Sequence, residues 1–350
     1  MNTKLSTITT LLFFVLFVFT SCEKTDTDSP YIDGLSIENY PIIDGSTSTL
    51  PLNRVIACEL LGLNYEWQEN KSSPSSSTWG IEPKIKSSLK QKFDKRVLSS
   101  QTHNSFINLI DNKVNIALAA RSMSPDEKEY ATSKGVSLIE TPIALDAFIF
   151  IVNPKNPVKS LTTENIQDIY TGKKTNWADF GIVLFPDNPD YSAIHPFVRN
   201  PNSGSQELMD LLIMKDLDYI DLPIYKENLI FTMAGLIDGI AGDPLAIGYT
   251  IYYYNEFIIR PDKSYLKTID IDGVEPTEQT ISNRLYPYTT EVYAVIRSDT
   301  DKSSMTYKIY EWLQTPTGKQ TISNCGYIPI RQGFCHYTYN LPLHTILKTN

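Results

Sequence analysis

Four short β-branched or aromatic runs, separated by helix-patterned stretches, limit the architecture more than any motif does. They are 114–120 (VNIALAA), 144–152 (ALDAFIFIV), 245–252 (LAIGYTIY) and 291–296 (EVYAVI). Runs of this length suit buried strands. Between them the apolar period becomes helical. In 160–172 (SLTTENIQDIYTG), Thr162 supplies a cap, Glu164 sits in the first turn, Ile166, Ile169 and Tyr170 form a stripe, and Gly172 offers a stop. Strand followed by helix, repeated, predicts an α/β fold with a mostly parallel sheet. With 350 residues, 41% of them hydrophobic, the chain is long enough for two such lobes.

The charge balance is acidic, 40 Asp and Glu against 31 Lys and Arg, and no basic run occurs, which argues against a nucleic-acid partner. It does not exclude a small anion, because local arginines and backbone dipoles set the field inside a cleft. The first residues stand apart: Lys4, an apolar run over 11–19 (LLFFVLFVF), then TSC ending at Cys22. That run is short for a membrane span and fits a signal peptide. The cysteine behind it resembles a bacterial lipoprotein box, with Phe19 where Leu is usual. Residues 1–22 are therefore expected to be a lipoprotein signal peptide ending at a lipidated Cys22, with an uncleaved anchor as the alternative; either leaves the domain exported and membrane-tethered. Residues 23–37 read as a tether, and 68–80 (QENKSSPSSSTWG) as a surface loop. Of the remaining cysteines, Cys325 and Cys335 are spaced to close a small loop, and Cys58 falls inside a helix as a buried apolar residue. No spacing suggests a metal site, and no cofactor is expected.

Polar corners precede several helices. In 198–212 (VRNPNSGSQELMDLL), Ser203 caps a helix, Gln206 completes a capping box, and Leu208, Leu211 and Leu212 form the buried face. Gly204 admits close backbone approach, Ser203 and Ser205 bring hydroxyls, and Arg199 offers a bidentate fork. Free amides and the positive helix end favour an anion there; the alternative is an ordinary capped helix with a surface arginine. A second corner, 44–62 (DGSTSTLPLNRVIACELLG), sets four hydroxyls ending at Thr49 before Leu50 and Pro51. In a third, 99–110 (SSQTHNSFINLI), Thr102 is placed to cap a helix carrying Phe106, Leu109 and Ile110. In a fourth, Arg121 and Ser122 follow a strand and precede the helix signal from Ser124 to Glu127. Loops at the C-terminal ends of parallel strands are where such sheets bind ligands.

From Ile43 to Ile330 the chain resembles the phosphate-binding periplasmic receptors of ABC transporters. The resemblance rests on GSTSTLP, AARSMSPDE, IALDAFIFIVNPKNPVKSLTTENIQDIYTGKKTNW, VRNPNSGSQELM, DPLAIGY, IDGVEPTEQTI, YPYTTEVYAVI and PTGKQTISNCGYIPI, in this order. It implies a two-lobed periplasmic-binding-protein clamshell with two crossover hinge strands: lobe 1 from 38–145 plus 286–350, lobe 2 from 146–285. It implies a monomeric, non-enzymatic receptor that takes phosphate or a similar oxyanion to an ABC permease. By position, the ligand residues fall on Thr49, Leu50, Thr102, Arg199, Ser203, Gly204 and Ser205, the last where threonine is commoner. Two departures stand out. Many members carry a Gly-Ser-Gly element where this chain reads QTHNS (101–105), which leaves Thr102 as a donor and His103 as an intruder. Well-studied members also hold near Arg121 an aspartate that accepts the proton of hydrogen phosphate, while others read Ser-Arg or Arg-Ser. Arg121 is then expected to add a second guanidinium, and Asp146 is the candidate proton acceptor, with a structural hinge acid as the alternative.

Other functions are left open by these departures: a receptor for a different oxyanion or a phosphorylated small molecule, or a membrane-bound sensor or scaffold. A phosphatase has little support, because His103, His195, His336 and His344 form no metal or triad grouping and no G-x-S-x-G occurs.

Overall fold

The apolar run around Phe148 becomes the axis of the molecule. The computed structural model describes residues 32–71, 77–188, 191–220, 229–230, 232–259 and 266–330. The leader, Cys22, most of the tether and Cys335 lie outside the described residues. In chain order the strands are β1 (Ile43–Gly45), β2 (Tyr65–Lys71), β3 (Ser77–Pro83), β4 (Ile116–Ala119), β5 (Leu138–Val152), β6 (Ser160–Leu161), β7 (His195–Pro196), β8 (Val198–Arg199), β9 (Leu229–Ile230), β10 (Ala246–Ile251), β11 (Lys267–Thr268), β12 (Asp270–Ile271) and β13 (Thr289–Arg297). The helices used below are α1 (Leu50–Leu61), α2 (Ser87–Asp94), α3 (Thr102–Ile110), α4 (Pro125–Ser133), α5 (Thr163–Tyr170) and α6 (Gly204–Leu208).

The main sheet runs β1-β4-β13-β5-β10-β7, with β11 also against β5. Residues 138–147 of β5 pair antiparallel with β13; from Phe148 to Val152 its partner is β10. One strand thus serves both lobes, and every residue from Ile143 to Val152 is buried, as suits a run that is apolar but for Asp146. The chain returns beside this crossing, where the Phe148 N–H donates to the Tyr288 carbonyl at 2.9 Å, just ahead of β13.

The sheet is mixed rather than mostly parallel. Parallel pairs stand at its margins, β1 with β4 and β10 with β7, while β5, β13 and β10 in the centre are antiparallel. The reason is the double crossing: a strand leaving one lobe lies beside a strand coming back. Residues read as a loop over 68–80 belong largely to a hairpin, β2 with β3, in register from Tyr65↔Pro83 to Lys71↔Ser77. Tyr65 and Trp67 pack against the core and Ile81 is fully buried, whereas Glu66 and Gln68 face water. Serine-rich composition hid that alternation.

The helices follow their patterns closely. α5 is capped by Thr162, whose side chain accepts from Asn165 N–H at 3.1 Å, and buries Ile166, Ile169 and Tyr170. α1 buries Leu52, Val55, Ile56, Cys58 and Leu60 and stops at Gly62, φ 64°. After α6 the winding widens into a π-helical stretch, Met209–Met214. That turns Leu211 outward, 63% exposed, against the buried position its spacing predicts. Among the described residues, no helix is long and apolar enough to cross a membrane.

Candidate anion-binding site

The first wall is organised by a buried carboxylate. Asp44 accepts from the N–H groups of Gly45 and Ser100, each at 2.8 Å, and from Asn108 Nδ2 at 3.0 Å, which ties the end of β1 to the approach of α3. The hydroxyl run follows. Ser46, Thr47 and Ser48 line a cavity, and the Tyr327 hydroxyl fixes their course by donating to the Ser48 carbonyl at 2.9 Å. Thr49 stands behind them: its hydroxyl donates to the Leu118 carbonyl at 2.8 Å. Gln101 and Thr102 complete this wall. Gln101, rather than Thr102, is the N-cap of α3, makes no side-chain cap bond and holds φ 75°, ψ 163°, a strained region that favours glycine.

The second wall is built around Arg199, 5% exposed. Its N–H donates to Gln206 Oε1 at 3.1 Å and to the Tyr249 hydroxyl at 2.9 Å. Its guanidinium reaches Ser205 Oγ at 3.4 Å and Met233 Sδ at 3.5 Å. Ser203 caps α6 by accepting from Gln206 N–H at 3.2 Å. Gln206 closes no reciprocal box; its side chain holds the Arg199 backbone instead, and its amide donates to Asp210 Oδ1 and the Tyr219 hydroxyl at 2.9 and 2.8 Å. Burial pushes the Arg199 pKa down, against the pull of the Tyr249 and Tyr254 phenols. A bound anion would offset that cost.

The two walls meet. A Cβ on Gly204 would come within 2.3 Å of Thr102 Oγ1, so only glycine allows the α6 backbone this close to α3. Between them lies a cavity of about 30 Å³ lined by Ser46, Thr47, Ser48, Gln101, Thr102, Arg199, Ser203, Gly204 and Ser205, with Ala120, Met233 and Ile251 closing it. A water needs about 10–15 Å³ by comparable measure, so the space suits a small ion. The starts of α1, α3 and α6 adjoin it, and helix starts present unpaired amides and positive dipole ends. Among the described residues, no Asp or Glu lines it, and no group of three or more His, Cys, Asp or Glu is arranged to hold a metal.

A sequence model of the PBP superfamily domain matches residues 84–315. The chain belongs to the PBP superfamily. It is 25% identical over 264 residues to protein SphX of Synechococcus elongatus, covering 70% of this chain and 74% of that one. It is 26% identical over 241 residues to the phosphate-binding protein PstS of Staphylococcus epidermidis, covering 67% and 70%. Among solved structures, the fold matches a putative phosphate ABC transporter substrate-binding protein from Clostridium perfringens (TM-score 0.57, 18% identity, 85% of this chain and 100% of that one). It also matches an ABC-type phosphate transport receptor from Vibrio cholerae (TM-score 0.55, 20% identity, 82% and 99%). The mixed α/β, two-lobed architecture is that of these two structures.

Within this fold, four residues expected at the ligand do not line the small cavity. Thr49 is spent on Leu118, and Leu50 lines a neighbouring cavity rather than the small one. Arg121 does not line the small cavity, because Glu127, fully buried, takes its guanidinium bidentately at 2.8 Å on each oxygen. The same carboxylate accepts from Ser124 N–H at 2.8 Å and contacts His103 Nδ1 at 3.0 Å. His103 thus belongs to this buried cluster, as His195 belongs with Asp243 at 2.6 Å. Glu127 had read only as a helix-start signal; its distance in sequence from Arg121 fits no helical pairing. Asp146 lies at the strand crossing, 1% exposed, with Oδ1 accepting from Ala147 and Tyr253 N–H at 2.8 and 2.9 Å. Its Oδ2 has no hydrogen-bond partner among the described residues, and burial raises its pKa to about 7. It does not line the small cavity. Ser46, Thr47, Ser48 and Gln101 were not singled out; the hydroxyl run signalled the corner but not which members face the cavity.

Proposed function

We propose that the chain is an extracytoplasmic binding protein that captures inorganic phosphate between its lobes and delivers it to an ABC-type permease. The observation that carries this reading is the small cavity where three helix starts, a set of hydroxyls and the buried Arg199 converge from both walls. The phosphate-binding relatives and the fold agree with it. Thr102, Arg199, Ser203, Gly204 and Ser205, with Ser46, Thr47 and Ser48, form the ligand set. Lobe 1 comprises 38–145 plus 286–350 and lobe 2 comprises 146–285, with Cys22 as the lipid-bearing anchor of a monomer. Capture is non-catalytic: the anion bridges the walls and favours closure because it makes more contacts there.

Recognition of the ligand proton falls to hydroxyls and carbonyls, since the cavity presents donors and neutral acceptors rather than a carboxylate. Sulfate therefore competes to within about tenfold, about 1.4 kcal/mol. Calorimetric titration of the ligand-stripped protein with phosphate and sulfate tests this. Saturable phosphate binding that Ser205→Ala weakens by about 1–3 kcal/mol is the expected result. Absence of phosphate binding, or binding indifferent to Arg199→Ala, overturns the site.

A further inference from the structure

A second and larger cavity, about 340 Å³, adjoins the anion cavity. Its walls are the start of α1 (Thr47, Leu50, Pro51), the β2–β3 hairpin (Asn70, Thr78, Trp79) and the segment Tyr254–Ile258, which follows β10. Thr47 belongs to both cavities, and in the hydroxyl run from Ser46 to Thr49 it is the exposed member. Tyr254 is a second link, since it lines the larger chamber and its phenol lies within electrostatic reach of Arg199. We propose that this chamber is a subsite for the alcohol part of a phosphate monoester, so that the protein takes small phosphorylated sugars or polyols with the phosphoryl group in the anion cavity. The proposal rests on the oxyanion reading of that cavity and specifies its ligand further.

Size and chemistry both support this assignment. A space of about 30 Å³ has no room for an organic substituent, whereas pockets for small organic ligands begin near 300 Å³. The ester's carbon portion must therefore lie outside the small cavity, and the chamber sharing Thr47 is large enough. Its lining combines apolar surface from Leu50, Pro51 and Ile258 and two aromatic side chains, Trp79 and Tyr254, with a few polar groups. Aromatic faces pack the C–H surfaces of a sugar ring, while the Asn70 amide and Glu82 carboxylate supply donors and acceptors for hydroxyls. The only cation on this wall among the described residues, Arg54, is bound to Glu82 at 2.7 Å and to the Ile81 carbonyl. A second phosphate would find no uncommitted charge there. The chamber thus favours a neutral polyol over a diphosphate.

The test is calorimetry and tryptophan fluorescence on the ligand-stripped protein with inorganic phosphate, glycerol 3-phosphate, glucose 6-phosphate and unphosphorylated glucose. Two variants accompany it: Trp79→Ala, which empties the chamber, and Thr78→Trp, which fills it. The expected result is that glucose 6-phosphate binds at least as tightly as phosphate and shifts the emission, while glucose alone does not bind. Each variant should then weaken the sugar phosphate tenfold or more and leave inorganic phosphate within twofold. Binding of phosphate with no binding of either ester overturns the subsite while leaving the anion site intact. So does ester binding that neither variant changes. If neither phosphate nor ester binds, the oxyanion reading falls and the subsite with it.

Discussion

Arg121 and Arg199 occupy comparable depths, 4% and 5% exposed, at the ends of strands in opposite walls, yet they serve different ends. Arg121 is matched on two oxygens by Glu127, with Ser124 and His103 satisfying the rest of that carboxylate. Arg199 is held by its backbone, through Gln206 and Tyr249, and aims its guanidinium at a hydroxyl, a thioether and the cavity. The contrast is one of direction: the Arg121 guanidinium is turned onto a buried carboxylate, whereas the Arg199 guanidinium is turned toward the cavity wall.

The largest effect should come from removing that counter-charge. Glu127→Ala leaves a buried cation uncompensated and is expected to lower the unfolding free energy by about 3–5 kcal/mol, read by denaturant melts. Phosphate affinity should stay within about threefold. A large affinity loss in this variant would erase the distinction between the two arginines. The converse variant, Arg199→Ala, should cut affinity by about 2–5 kcal/mol without lowering the melting temperature of the free protein, because burial of that cation is itself unfavourable.

Asp146 extends the comparison to a buried acid with a half-satisfied carboxyl group. Its pKa of about 7 in the fold lies above the ordinary value near 3.9. The folded state thus keeps a proton that the unfolded chain loses, and stability present below about pH 4 is lost as pH rises toward 7. Asp146→Asn does not titrate. It should be more stable than the parent above pH 7 by up to roughly 4 kcal/mol, with the gap closing toward pH 4. A pH-independent difference would place the Asp146 proton elsewhere. Smallest is Gln101→Gly, expected to relieve about 1–3 kcal/mol of backbone strain and raise the melting temperature. A drop would mean that the side chain of Gln101 contributes more than its backbone costs.

Much of this was legible beforehand. The central strands, the capped helix over 163–170, the apolar stripe of the helix over 102–110 and the corner from Arg199 to Ser205 follow local rules of period and capping, and the structure keeps them. The misreadings share a cause. The hairpin at 65–83, the antiparallel centre of the sheet, the outward Leu211 and the Arg121–Glu127 pair all depend on what a segment lies against, and nothing in its own composition records that.

By itself, then, the sequence determined that helix starts rich in hydroxyls and glycine would alternate with buried strands, because capping and burial act over a few neighbouring residues. Only the tertiary structure decided which hydroxyls face the cavity, which arginine lines it, and that Gly204 rests against Thr102. Those outcomes depend on distance and low dielectric between segments about a hundred residues apart, where burial and the nearest counter-charge settle each side chain's role.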